Sequence, residues 1–86
     1  MNLRHVAHTL KPIVQIGKDG VTDNVIEQVR LGLKKKRIIK VRCTPSVQDK
    51  KAALDILVSK INCKVVHKIG GTITIAEPRY YLVHTR

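Results

Sequence analysis

The chain has no tryptophan and no phenylalanine, and Tyr80 and Tyr81 are its only aromatic residues. With no aromatic side chains spaced along a strand, the sequence argues against a base-stacking platform of the RRM type. Acidic residues are scarce as well: Asp19, Asp23, Glu27, Asp49, Asp55 and Glu77 are the full set. They are dispersed, whereas phosphate chemistry commonly needs clustered carboxylates to hold metal ions, so no enzymatic activity is expected. Asp19, Asp23 and Glu27 recur at four-residue intervals, but they straddle a turn and a helix start, where structural roles suffice. Cysteine is limited to Cys43 and Cys63, with no C-x-x-C and no histidine pair at zinc-finger spacing. Both read as reduced, buried thiols near strand ends, and neither a metal nor another cofactor is expected. No apolar run approaches the length of a spanning helix and none has the form of a signal-peptide core, so the cytoplasm is the expected compartment.

What is abundant is positive charge. The 17 Lys and Arg against 6 Asp and Glu give a formal net charge of +11, spread along the chain. Such a field attracts polyanions, and nucleic acid is the natural counter-charge; an anionic membrane is the rival. The 86 residues suffice for one small domain spanning the whole chain. Its apolar residues, 43% of the total, come in periodic clusters, so the chain is expected to fold.

Leu3, Val6, Ala7 and Leu10 lie on one face of a first helix, which Asn2 can cap and Pro12 follows. Arg4, His8 and Lys11 occupy the other face. Ile13, Val14 and Ile16 form a short strand ended by Gly17. Thr22 or Asp23 can cap a second helix whose apolar set is Val25, Ile26, Val29 and Leu33. "IIKVRC", Ile38 to Cys43, is the second strand and ends at the Thr44-Pro45-Ser46 turn. Ala53, Leu54, Leu57 and Ile61 predict a third helix from Val47 or Gln48 to Asn62. Val65, Val66 and Ile69 lead to Gly70-Gly71, and Thr72, Ile73, Thr74 and Ile75 alternate after it, which reads as a hairpin closed by Pro78. The remaining "RYYLVHTR" is open between an edge strand and a docked tail. The order α-β-α-β-α-β-β predicts a single-domain α/β sandwich on a four-stranded mixed sheet.

Between the first strand and the second helix stands "IGKDGVTD". Glycines admit positive φ and close ligand approach, a helix start supplies free N–H groups and partial positive charge, and Lys18 adds a cation at the tip. Together these suit a phosphate, although G-x-x-G alone also occurs in plain turns. It is neither the Walker loop nor the dinucleotide fingerprint.

The segments "LRHVAHTLKPIVQIGKDGVTDNVIEQVRLGL", "IIKVR", "DKKAALDILVSK" and "VVHKIGGTITI" resemble the CRM domain, the family of the bacterial YhbY proteins and the plant chloroplast group II intron splicing factors. The likeness covers roughly residues 3 to 75, and its most specific part is "AH-LKP-VQIGK-G-T--V". It implies RNA binding, an association with precursors of the large ribosomal subunit, and a fold similar to the C-terminal domain of translation initiation factor 3. It further implies that Gly17, Lys18, Asp19 and Gly20 contact RNA. The family's longer basic lead-in to the first helix is not expected to contribute, since Met1 and Asn2 alone precede Leu3. "PRYYLVHTR" has no counterpart in the family pattern.

The run Lys34-Lys35-Lys36-Arg37 reads first as a helix end that favours the macrodipole. In so basic a chain, Arg30, Lys34 and Arg37 are also expected to line the RNA path, with Arg4 and Lys11 adding charge from the first helix. His5, His8, His67 and His84 lack recognisable acid or nucleophile partners and are assigned no chemistry. Tyr80 and Tyr81 offer stacking in principle, but packing of the tail on the sheet is preferred. The expectation is a monomeric RNA-binding module, without a small-molecule substrate or membrane attachment, that clamps an RNA backbone between the glycine turn and a basic helical surface. The alternative is a nucleoid-type DNA-binding protein or an adaptor that docks on an acidic protein.

Overall fold

Alternation along the strands sorts apolar side chains into two cores, one on each face of a sheet. The structure, a computed structural model, describes residues 3–84 apart from the Arg4 side chain. Its elements are α1 (Leu3–Thr9), β1 (Val14–Ile16), α2 (Asp23–Lys36), β2 (Ile38–Cys43), α3 (Lys50–Lys60), β3 (Lys64–Ile69), β4 (Thr72–Ala76) and α4 (Pro78–His84). The four strands lie in the order β1-β2-β4-β3. β1 runs parallel to β2, and the β2–β4 and β4–β3 pairs are antiparallel. The expected α/β sandwich on a mixed sheet is the fold observed, with one further helix at the end.

The larger core lies beneath α2 and α3. Val14 and Ile16 of β1, Ile39, Val41 and Cys43 of β2, and Ile73 and Ile75 of β4 meet Val25, Val29 and Leu33 of α2 and Leu54 and Leu57 of α3. Ile16, Ile39, Leu54, Leu57, Ile73 and Ile75 are fully buried, each worth about 1.5–3 kcal/mol relative to exposure. On the other face Leu3, Ile38 and Ala76 form a smaller core, against which Val6, Leu10, Val66, Tyr80 and Tyr81 pack. Val66 reaches it by alternation after Val65, and the bulge in β3 between Val65 and His67 sets His67 opposite Thr74.

One open alternative is decided and two helix bounds need correction. The tail is a helix, not an edge strand: the Tyr81 amide donates to the Glu77 carbonyl at 2.9 Å, and Pro78 stands at the first helical position, where a missing N–H costs nothing. As preferred from the sequence, both tyrosines pack on the sheet. The third helix starts at Lys50 rather than Val47 or Gln48. Asp49 caps it, accepting from the Ala52 amide at 3.0 Å, while the Val47 amide is held in the preceding turn by the Thr44 carbonyl. It also stops short of Asn62, because Ile61 is already extended at φ −128° and ψ 134°.

Candidate nucleic-acid interface

The 17–20 turn leaves β1 and closes on itself. The Gly20 amide donates to the Gly17 carbonyl at 2.9 Å, and the Thr22 amide donates to the Gly20 carbonyl at 3.1 Å. Gly20 sits at φ +76°, in the left-handed region that only glycine enters cheaply. Gly17 is different. Its φ is not positive, and a Cβ there would meet nothing within 4 Å. Backbone strain therefore explains the second glycine and not the first, whose bare surface leaves the main chain open to a ligand. Lys18 and Asp19, at the tip, are both exposed.

Thr22, not Asp23, caps α2: its hydroxyl accepts from the Val25 amide at 3.2 Å. With the Val25 amide satisfied by Thr22, the Asp23 and Asn24 amides remain as open donors at the start of α2. Along α2 the sequence spacing puts Asp23, Glu27, Arg30, Lys34 and Arg37 on one stripe. Its first half is acidic and its second half basic. Positive charge along this face is therefore divided: Lys18 stands at one end and Arg30 and Lys34 begin about two turns in, on a helix of 14 residues about 21 Å long.

At the basic end the three expected cations do converge. Arg30, Lys34 and Arg37, with Leu33 of α2, line an open groove of about 310 Å³ whose other wall is Ile61, Asn62 and Glu77. That second wall was missed from the sequence, where Asn62 read only as a helix stop. Arg37 is more constrained than its neighbours. It is the left-handed C-cap of α2, at φ 70° with its amide on the Leu33 carbonyl, and its guanidinium pairs with the Glu77 carboxylate.

The cations expected on the first helix lie elsewhere. Lys11 is exposed and lines a separate, smaller groove with Ile13, Lys36 and Lys40 among others; the Arg4 side chain lies outside the described residues. Lys40 is half-buried, and its ammonium donates to the Ala7 carbonyl at 3.1 Å and the Leu10 carbonyl at 3.4 Å. Its charge serves the C-terminal end of α1. His8 and His67 approach with ring centroids 4.9 Å apart, and among the described residues no group of three or more metal-ligating side chains forms. Burial pushes both thiols up from their ordinary pKa; for Cys43 the charge of Lys50 partly opposes the rise.

The turn and the groove lie in a stretch of chain shared with known proteins. The model of the CRS1 / YhbY (CRM) domain matches residues 1–76. The chain belongs to the CRM domain family. This CRM domain is 39% identical over 74 residues to the "Probable RNA-binding protein YqeI" of Bacillus subtilis, covering 85% of this chain and 77% of that protein. It is 35% identical over 80 residues to the "Probable RNA-binding protein MJ0652" of Methanocaldococcus jannaschii, covering 90% of this chain and 59% of that one. To the chloroplast CRS2-associated factor 2 of Zea mays it is 34% identical over 84 residues, 95% of this chain, but it spans only 13% of that protein's length. Among solved structures it resembles a Staphylococcus aureus protein, SAV1595, whose solution structure presents it as an RNA-binding candidate. The TM-score is 0.72 at 36% identity, over 87% of this CRM domain and 79% of that chain. The 17–20 turn and α2 fall within the family match, whereas α4 begins beyond it.

Proposed function

We propose that this CRM domain binds RNA through its phosphate backbone, using the 17–20 turn at the start of α2 and the cationic groove at its end. The observation that carries the reading is the pairing of those features on one helix. Gly17 has no backbone or packing reason to lack a side chain and stands beside exposed Lys18, and Arg30, Lys34 and Arg37 share one groove at the opposite end. Open amides and a lysine suit one phosphate, and guanidinium groups suit others further along a strand. Such interactions set affinity without reading sequence. Membership of the CRM family and the names of its relatives support RNA as the polyanion.

The RNA we propose is ribosomal, in an assembling large subunit, met by a cytoplasmic monomer that carries no catalytic activity. The ribosomal assignment rests on the family alone.

The test is equilibrium binding to a ribosomal RNA fragment across a salt series, with duplex DNA as competitor. Replacing Arg30, Lys34 and Arg37 by glutamine should lower affinity and flatten the plot of log affinity against log salt by about 0.7–0.9 for each phosphate no longer neutralised. An unchanged slope removes the groove from the interface, and preference for duplex DNA at matched salt removes RNA as the ligand.

A further inference from the structure

The helix that lies beyond the family match builds a second pocket beside the cationic groove. Arg79, Tyr80, Val83 and His84 of α4 line it together with Arg37 and Glu77, and its volume is about 280 Å³. The groove on α2 shares Arg37 and Glu77 with it, so the two adjoin at that ion pair.

Two features give this pocket its chemistry. Tyr80 and His84, one helical turn apart, stack with ring centroids 4.0 Å apart and an interplanar angle of 26°. The stack is held from below and from the side: Tyr80 packs against the Leu3, Ile38 and Ala76 core, and the His84 Nδ1 lies 2.9 Å from the Tyr80 carbonyl. Nδ1 must donate there, which leaves Nε2 as the free ring nitrogen. The second feature is charge. Glu77 is engaged by Arg37, while exposed Arg79 meets no carboxylate among the described residues. A preordered pair of rings beside a free guanidinium suits a base with its phosphate, because every base has a π-face and every phosphate accepts from arginine.

We infer that the Arg79–Tyr80–His84 pocket receives one unpaired nucleotide of the RNA strand that occupies the α2 groove. The inference rests on the RNA-binding reading and extends it from backbone recognition to a preference for single-stranded RNA. A duplex keeps its bases stacked inside and can offer this pocket only phosphates.

The experiment compares a uridine dodecamer with a duplex RNA of equal length, titrated against the full chain and against its Arg79→Ala and His84→Ala variants, with thermal melts of each. His84→Ala should bind the single strand about fivefold to tenfold more weakly, the scale of one base no longer stacked, and bind the duplex nearly as the parent does, while Arg79→Ala should weaken the single strand more than the duplex. Equal weakening for both RNAs means that α4 contributes only general positive charge and overturns the pocket, as does unchanged affinity. Absence of any RNA binding by the parent overturns the underlying reading and the pocket with it. A measurement on the unaltered chain guards against unfolded variants: photo-crosslinking to 4-thiouridine RNA should attach within residues 79–84. Attachment confined to the 17–20 turn and α2 contradicts the inference.

Discussion

Arg37 and Glu77 are joined twice: the guanidinium pairs with the carboxylate, and the Glu77 amide donates to the Arg37 carbonyl at 2.8 Å. This junction ties the end of α2 to the start of α4 and sets an acidic group against the most constrained of the groove's cations. Both side chains keep solvent access, with 56% and 26% of their side-chain surface exposed, so the pair contributes little to stability. Glu77→Gln should therefore leave folding nearly unchanged while freeing Arg37 for one more phosphate. Affinity for RNA should rise, and the salt slope should steepen by about 0.7 for a single strand. A weaker complex in the same titration would mean that Glu77 positions Arg37 rather than competing for it.

The two glycines of the turn should separate fold from function. Gly20→Ala forces a methyl group into the left-handed region at φ +76° and should cost about 1–2 kcal/mol in urea denaturation. Gly17→Ala meets open space and should change stability by less than about 0.5 kcal/mol. If phosphate approaches the turn, that stable variant should still lose about 1–2 kcal/mol of RNA affinity, the worth of a charge-assisted hydrogen bond displaced. Parental affinity in Gly17→Ala would assign the ligand to another part of the surface.

Lys40 counts toward the basic balance but is occupied by the end of α1, through the Ala7 and Leu10 carbonyls. Lys40→Met should lower stability by about 1–2 kcal/mol and leave RNA affinity, measured well below the melting temperature, close to the parent. The reverse pattern, full stability with weakened binding, would put Lys40 in the interface.

Beneath α1, the Thr74 Oγ1 and His67 Nε2 are buried without hydrogen-bond partners, and the two residues face each other across the β3–β4 pair. Thr74→Val keeps the shape and removes one unsatisfied hydroxyl, so it should hold or raise stability, by up to about 1 kcal/mol. Chemical denaturation decides: a clear loss would show that the hydroxyl is satisfied in solution, for instance by a buried water.

Where sequence reasoning succeeded, a local period or a local turn decided the matter. Val25, Val29 and Leu33 mark the buried face of α2, Gly70-Gly71 marks the hairpin, and the open turn before Thr22 is legible from its own residues. What escaped it depends on distance in space. "RYYLVHTR" has no helical or strand period strong enough to choose between states, and its helix follows from Pro78, Glu77 and the small core that receives both tyrosines. The second wall of the groove comes from residues 61 and 62, and Arg37 meets Glu77 across 40 positions. Charge counting had a subtler blind spot: Lys40 looks like part of a basic surface until its carbonyl partners are seen. Asp23 and Glu27 were legible as a spacing, and the same spacing puts them on one stripe of α2 with Arg30, between the turn and the basic end.

The most direct measurement is RNA binding by the full chain across a salt series beside a Gly17→Asp/Lys18→Ala double variant, with the fold of each checked by circular dichroism. Neither position is buried or at positive φ, so the variant should fold as the parent does. If the turn holds phosphate, replacing a cation and a bare backbone by a carboxylate should reduce affinity at least about tenfold, or 1.4 kcal/mol, and flatten the salt dependence. Parental affinity and slope in the folded variant would contradict the assignment and leave "GKDG" as a turn that only joins β1 to α2.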